Sequence, residues 1–213
     1  MITRLSGYLT DDTVFKLIDT KLDALLRKYN ITHPVYLCHS LGCLVAVHAA
    51  THDPNSIVIA LNMPVGLGRT LGRGIAFAYQ VAMTLLTNGR TAARRYADAM
   101  IYFGQAHLDM QSAEVLDFIN ASTQRYHAIR WNDLTLLLRC STLWLHRRGP
   151  WRPSVFVIQG ACDPLFRIDD ERRLMIQIPQ AEFATVAGAH VLPLTNPDDV
   201  IRALDRMFTA KRR

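Results

Sequence analysis

Ser40 lies where a short apolar run meets a helical segment. Residues 34–38 read Pro-Val-Tyr-Leu-Cys, a run without polar alternation that is typical of a strand covered on both faces in a parallel sheet. From Leu41 onward, small and apolar residues follow a helical rhythm. A hydroxyl on such a turn projects from the carboxyl edge of the sheet, where helix amides can stabilise negative charge. The pattern favours a serine nucleophile, and the alternative is a serine that only caps the helix.

Two further polar residues follow predicted strands. Asp163 lies in the turn after the apolar run 154–158, and His190 lies after the run 181–186. Taken singly, Asp163 is equally compatible with a turn residue before Pro164, and His190 with an ordinary loop histidine. Because the carboxyl ends of parallel strands meet at one edge, we expect both side chains at the edge that carries Ser40. A serine needs a base within hydrogen-bonding reach, and an imidazole oriented by a carboxylate is such a base.

The segment Cys38-His39-Ser40-Leu41-Gly42 resembles the nucleophile elbow of the α/β-hydrolase superfamily, whose pattern is Gly-x-Ser-x-Gly. Gly42 matches the second glycine and Cys38 replaces the first. Small residues are expected at both positions because the turn brings backbones close together. His39 resembles the histidine of the family's common Gly-His-Ser, which is a packing and pocket residue. The order Ser, Asp, His along the chain is also the one that this superfamily uses.

The resemblance covers nearly the whole chain and implies acyl transfer through a covalent acyl-enzyme. Ser40 would be the nucleophile, His190 the base and Asp163 the residue that orients the imidazole. The N–H of Leu41 would donate to the oxyanion hole. The implied substrate is a carboxylic ester, thioester or lactone, since family members with dehalogenase or epoxide-hydrolase activity carry Asp at the elbow.

No cofactor and no metal are expected. The remaining histidines show no ligand spacing such as His-Glu-x-x-His; they are His33, His48, His52, His107, His127 and His146.

Strands alternating with helices predict an α/β fold with a mostly parallel sheet. Strands are expected at 34–38, 56–61, 154–158 and 181–186, and helices at 11–29, 41–50, 169–177 and 198–210. Residues 63–153 lack a strong strand signal and predict helices at 75–86, 91–103, 113–126 and 132–145. By resemblance, this segment is a helical cap over the active site, between hydrolase-core segments 1–62 and 154–213. Its apolar helices favour a hydrophobic acyl group or ring.

The chain before the elbow is short for this superfamily. Family members place four strands there, and the loop after one of them donates the second N–H of the oxyanion hole. Only 39 residues precede Ser40, and they contain one good helix and no convincing strand. The strand at 34–38 is therefore expected to have a bare edge that invites pairing. Three explanations are open: a truncated gene model, which we favour, a split enzyme completed by a partner or by self-association, and a relict without catalysis.

Composition excludes several classes of protein. The 213 residues are 50% hydrophobic and 20% charged, as in one folded domain. The net charge of +6 comes with no basic run of five residues and no interleaved aromatics, so nucleic-acid binding is not expected. The four cysteines fit neither a metal spacing nor a secreted disulfide framework. Without a signal peptide or an apolar segment long enough for a transmembrane span, the expected location is the cytoplasm.

The sequence therefore predicts a serine hydrolase of the α/β-hydrolase type that acts on a small, hydrophobic, ester-like substrate. The alternative is a catalytically impaired, hydrolase-like binding or interaction protein without a complete oxyanion hole. The fold does not choose among substrates.

Overall fold

A computed structural model of the protein describes residues 11–64, 67–103, 153–166 and 178–210. Its strands are β1 (Val35–His39), β2 (Ile57–Leu61), β3 (Ser154–Gly160) and β4 (Glu182–Val186). They form one sheet in the order β1-β2-β3-β4, and each neighbouring pair is parallel. The predicted α/β class and the four predicted strands are confirmed.

The described helices are α1 (Asp11–Lys28), α2 (Gly42–Ala50), α3 (Leu67–Phe103), α4 (Leu192–Thr195) and α5 (Pro197–Ala210). Helix α3 covers two predicted helices, and Gly89 separates them with φ 83° and ψ 175°, a conformation that a residue with a Cβ rarely adopts. The helices predicted at 113–126, 132–145 and 169–177 lie outside the described residues, and the limits of the cap stay a prediction. Within the described ranges, no helix is both long and apolar enough to cross a bilayer.

Helices cover the sheet on both faces, because alternate residues of each strand point to opposite sides. On one face, Val58, Val155 and Val157 pack in a core with residues of α1 and α2. On the other face, Ile59, Phe156 and Ile158 pack with Val200, Ala203 and Met207 of α5. Double coverage explains why β2 and β3 have continuous apolar sequences.

Strand β1 differs from β2 and β3 because only one of its faces is covered. Tyr36 and Cys38 pack against the α1–α2 core, whereas Val35 is 58% exposed and Leu37 is 67% exposed. Helix α5 packs on β3 and β4. The expectation that both faces of this strand are covered is therefore wrong within the described residues. Among the described strands, β1 lies at one edge of the sheet and β4 at the other.

Candidate active site

Ser40 occupies a strained turn between β1 and α2. Its φ is 53°, in the left-handed region that a residue with a Cβ enters only at an energetic cost. The turn is fixed by two backbone hydrogen bonds of 3.0 Å, from the Ser40 N–H to the Leu61 carbonyl and from the Cys43 N–H to the Ser40 carbonyl. The hydroxyl hydrogen-bonds with His190, and the N-cap residue of α2 makes no side-chain capping bond. The Ser40 side chain is therefore directed toward His190.

Ser40, His190 and Asp163 form a chain of hydrogen bonds. The Nδ1 of His190 lies 2.9 Å from Oδ2 of Asp163, and its Nε2 lies 3.0 Å from Oγ of Ser40. The other carboxylate oxygen, Oδ1, accepts the N–H groups of Leu165 at 2.8 Å and Phe166 at 3.0 Å. Because an ionised carboxylate only accepts, Nδ1 of His190 carries the proton and Nε2 is free to accept the Ser40 O–H. This arrangement can remove a proton from the serine.

The loops that carry Asp163 and His190 are in direct backbone contact. The N–H of Ala161 donates to the carbonyl oxygen of Val186 at 2.9 Å, and the N–H of Cys162 donates to the carbonyl oxygen of Gly188 at 2.8 Å. A Cβ at Gly160 would lie only 2.5 Å from the carbonyl oxygen of Ala189. Glycine at the end of β3 therefore permits the close approach that aligns the carboxylate with the imidazole.

Asn62 is a site residue that the sequence reasoning missed. It follows β2 directly, is fully buried and has φ 50°. Its Nδ2 donates to the carbonyls of Ala189 at 2.9 Å and His190 at 2.7 Å, and its Oδ1 accepts the Gly160 N–H at 2.7 Å. One side chain thus links the end of β2, the end of β3 and the histidine loop. The sequence signal that could have identified Asn62 is a polar residue directly after an apolar strand, which is also the signal that identified Ser40 and Asp163.

His39 lies against His190, with 4.9 Å between the ring centroids. Its Nε2–H donates to the carbonyl oxygen of His190 at 2.5 Å. Burial lowers the pKa of His39 below the ordinary value of 6.5, and this outweighs the hydrogen bond to His190, which raises the pKa. His39 is therefore held neutral with the proton on Nε2, and it supports the backbone of the histidine loop.

The two cysteines beside the elbow donate to strand β2. Sγ of Cys38 lies 3.3 Å from the carbonyl oxygen of Ile59, and Sγ of Cys43 lies 3.6 Å from that of Leu61. Burial raises the pKa of Cys43 well above its ordinary value, and the neighbouring Cys38 raises it further. Cys43 is thus a protonated, packed thiol. The structure accommodates Cys38 where the family pattern has glycine.

Leu41 and Gly42 are the last two residues of the elbow and lead into α2. A Cβ at Gly42 would meet no atom within 4 Å, so the backbone crowding expected there is not found among the described residues. Gly42 is exposed, and it follows a strand at the edge of the described sheet. Leu41 is the N-cap residue of α2, so its N–H belongs to the positive end of the helix. Its role in an oxyanion hole stays a prediction.

Helix α3 contacts both of the loops at the site. The carbonyl of Ile101 accepts the N–H of His190 at 3.0 Å, and Nη1 of Arg73 donates to the carbonyl of Leu165 at 3.1 Å. The first part of the predicted cap therefore holds the backbone beside His190 and Asp163.

Comparison with known families agrees with this architecture. The model of the alpha/beta hydrolase family matches residues 4–203, which is nearly the whole chain. The chain belongs to the α/β-hydrolase family. The match covers the elbow with Ser40, the turn with Asp163 and the loop with His190 in this α/β hydrolase. A search of curated proteins found no significant sequence match.

Solved structures share the fold of this α/β hydrolase at low sequence identity. Rv0554 from Mycobacterium tuberculosis superposes with a TM-score of 0.67 and 18% identity, over 96% of this chain and 73% of that one. A bromoperoxidase from Bacillus anthracis has a TM-score of 0.62 and 13% identity, over 90% of this chain and 72% of the bromoperoxidase. A structure from work on carboxylesterases of Nitrososphaera gargenis has a TM-score of 0.60 and 15% identity, over 98% and 75%. At this identity the likeness shows the fold alone.

Proposed function

We propose that the protein is a serine hydrolase that cleaves a small or medium-sized ester-like substrate, a carboxylic ester, thioester or lactone, with Ser40, His190 and Asp163 as its catalytic triad. The observation that carries the proposal is the hydrogen-bonded series from Asp163 through His190 to Ser40, with Ser40 at φ 53° before a helix. Membership of a hydrolase family and solved esterases with the same fold support it.

The reaction follows from the positions of the protons. Oγ of Ser40 attacks the carbonyl carbon of the substrate while its proton passes to Nε2 of His190. Asp163 stabilises the resulting imidazolium through Nδ1. The tetrahedral intermediate expels its alcohol or thiol, which takes the proton from Nε2 and leaves an acyl group on Ser40. Water then attacks the acyl-enzyme with His190 again as base, and the carboxylic acid leaves.

Negative charge on the tetrahedral intermediate needs donors at the elbow. In this proposal, the N–H of Leu41 supplies one donor at the N-terminus of α2, where the helix dipole also favours an anion. Burial of Asp163 and His190, at 4% and 7% exposure, strengthens their interaction because water screens it weakly. The predicted apolar cap favours a hydrophobic acyl group.

A second candidate function is a hydrolase-like binding protein without turnover. The observation that favours it is the position of β1 at one edge of the described sheet, since no described strand beyond β1 carries a loop toward the elbow. Loss of one oxyanion donor lowers the rate by about 10²–10³. Such a protein would keep the hydrogen bonds of the triad and bind its ligand without cleaving it.

Labelling with a fluorophosphonate probe separates the two functions. We expect the wild-type protein to be labelled at Ser40 and to hydrolyse short-chain p-nitrophenyl esters, and Ser40→Ala to lose both properties. Ser56→Ala is the matched control, because Ser56 is a buried hydroxyl beside the opposite, amino-terminal end of β2. A folded wild-type protein that is neither labelled nor active would refute the proposed hydrolase function and support the binding protein.

A further inference from the structure

Three side chains able to bind a metal ion converge at the end of α2 that is remote from Ser40. Asp19 lies on α1, His48 on the last turn of α2, and His52 just after that helix. Nε2 of His48 lies 3.0 Å from Oδ1 of Asp19, and Nε2 of His52 lies 3.9 Å from Oδ2. One ligand atom from each residue lies within 4.8 Å of the other two. Ser40 precedes the opposite end of α2, so this cluster does not belong to the candidate active site.

We propose that Asp19, His48 and His52 bind one divalent transition-metal ion with the ligand preference of Zn²⁺. Imidazole and carboxylate are ordinary ligands of this ion, with bonds of about 2.0–2.2 Å. Two ligand atoms on a tetrahedral ion are then about 3.3–3.5 Å apart. The separations of 3.0 Å and 3.9 Å lie on either side of that spacing, and all three ligand atoms lie within 4.8 Å of one another, so side-chain rotations have to close the remaining distance. Water would complete the coordination, as it does at three-ligand zinc sites.

The local structure positions the two histidines before any ion binds. His48 is on the last turn of α2 and His52 lies in the turn that follows, four residues later. The hydroxyl of Thr51 donates to the carbonyl of His48 at 2.6 Å and fixes the last turn. The ring of His48 packs on Phe15 with 4.4 Å between centroids, and the His52 ring meets it edge-on at 5.3 Å. The buried His48 is thus fixed, while the His52 side chain, 65% exposed, leaves the site accessible.

The charge around the cluster suits a cation. Asp23 lies one helical turn after Asp19 on α1, and Asp53 follows His52 in the chain. Both carboxylates contribute to a raised pKa of the nearby Tyr36, after the larger effect of burial. Asp19 and Asp23, one turn apart on α1, carry like charges that repel each other. A cation would lower this repulsion as well as satisfy the three ligands.

An ion at this position would join α1 to α2. Helix α1 reaches the core through the buried Phe15, and most of its following turns are exposed. Coordination by residues of both helices would hold α1 against the helix that begins at the elbow. A ligand that binds only the folded state stabilises that state. The expected ion is therefore structural, and the reaction proposed above does not use it.

The test is metal binding by the full chain after treatment with a chelator. We expect isothermal titration with Zn²⁺ to show one ion bound at this site. At a free concentration about a hundredfold above its Kd, the ion should raise Tm by roughly 5–10 °C. His52→Ala and Asp19→Asn should each weaken binding at least about tenfold. The matched controls are His33→Ala, an exposed histidine outside the cluster, and Asp205→Asn, the same charge change at an exposed position of α5.

Two results would overturn the proposal. One is a folded wild-type protein that binds no Zn²⁺ at micromolar concentrations, which would leave the cluster as a hydrogen-bonded pair with a neighbouring histidine. The other is unchanged affinity in His52→Ala, which would place the ion elsewhere. Co²⁺ absorption identifies the ligands independently, since intense thiolate bands would point to the cysteines. Because His52 lies at the surface, His52→Ala should keep the wild-type Tm in chelator, so lost binding cannot be attributed to unfolding.

Discussion

The Nδ2 of Asn62 donates to the carbonyl oxygen of His190 at 2.7 Å. This bond connects the loop that carries His190 to the end of β2, a strand that carries none of the three predicted triad residues. The same amide also binds the carbonyl of Ala189 and the N–H of Gly160. Its two N–H groups and its oxygen are thus all engaged in a fully buried position.

Asn62→Asp keeps the shape of the side chain and replaces its two donors with an acceptor. Two carbonyls would then face a buried carboxylate oxygen, so we expect the free energy of unfolding to fall by about 2–3 kcal/mol. Displacement of His190 should lower kcat for ester hydrolysis by roughly 10–100-fold. Urea unfolding and steady-state kinetics measure the two effects. Asn62→Gly, which removes the side chain and tolerates φ 50°, separates loss of the hydrogen bonds from burial of a charge. Wild-type kcat in Asn62→Asp would contradict a positioning role.

Asp163→Asn tests the orientation of the imidazole. If the amide nitrogen faces Nδ1, His190 must carry its proton on Nε2 and can no longer accept the proton of Ser40. We expect kcat to fall by about 10⁴ with little change in KM, because the tautomer is wrong while the substrate site is intact. Asp205→Asn, an exposed change on α5, is the control. A loss of less than about tenfold would indicate that Asp163 does not orient the base.

The lowered pKa of His39 predicts a pH dependence of stability. Below its ordinary pKa of 6.5, the unfolded chain takes up a proton that the folded protein excludes until the pH reaches the lower folded pKa. The contribution of His39 to the free energy of unfolding is therefore full above pH 6.5, and it is lost as the pH falls through the pKa of His39 in the folded protein. His39→Gln can keep a donor toward His190 without titrating, so its unfolding free energy should vary less with pH. Urea unfolding between about pH 5 and pH 8 measures this, with His33→Gln as the exposed control. Equal slopes in wild type and His39→Gln would contradict the prediction.

Two glycines near the site should respond oppositely to alanine. A Cβ at Gly160 would lie 2.5 Å and 2.7 Å from two backbone oxygens, so Gly160→Ala should destabilise the protein by about 2 kcal/mol or more. A Cβ at Gly42 would meet nothing within 4 Å, and this position is helical. Gly42→Ala should therefore change stability by less than about 1 kcal/mol, toward a more stable protein. Chemical denaturation of both variants makes the comparison. Marked destabilisation by Gly42→Ala would reveal crowding that involves other parts of the chain.

The sequence predicted the strands well because the central strands β2 and β3 are covered on both faces and their sequences are continuously apolar. It placed Ser40, Asp163 and His190 at one edge because each follows a parallel strand, and the structure brings these three side chains into hydrogen-bonding distance. It failed for the outer face of β1. Val35 and Leu37 have the residue types of a buried strand, but their exposure depends on which helix lies over them, and α5 packs on β3 and β4.

By itself, the sequence determined the α/β class and the order of the candidate nucleophile, acid and base, since both depend on local patterns of apolar residues and turns. Only the tertiary structure revealed the partners of Asn62, which lie 98, 127 and 128 positions away along the chain. It also revealed the carboxylate near His48, because Asp19 lies 29 positions earlier on another helix. The sequence reasoning found no ligand spacing at His48 and His52 and expected no metal, because the carboxylate that accompanies them lies on a distant segment. Contacts between distant segments depend on how helices pack on the sheet, and no local pattern of residues encodes them.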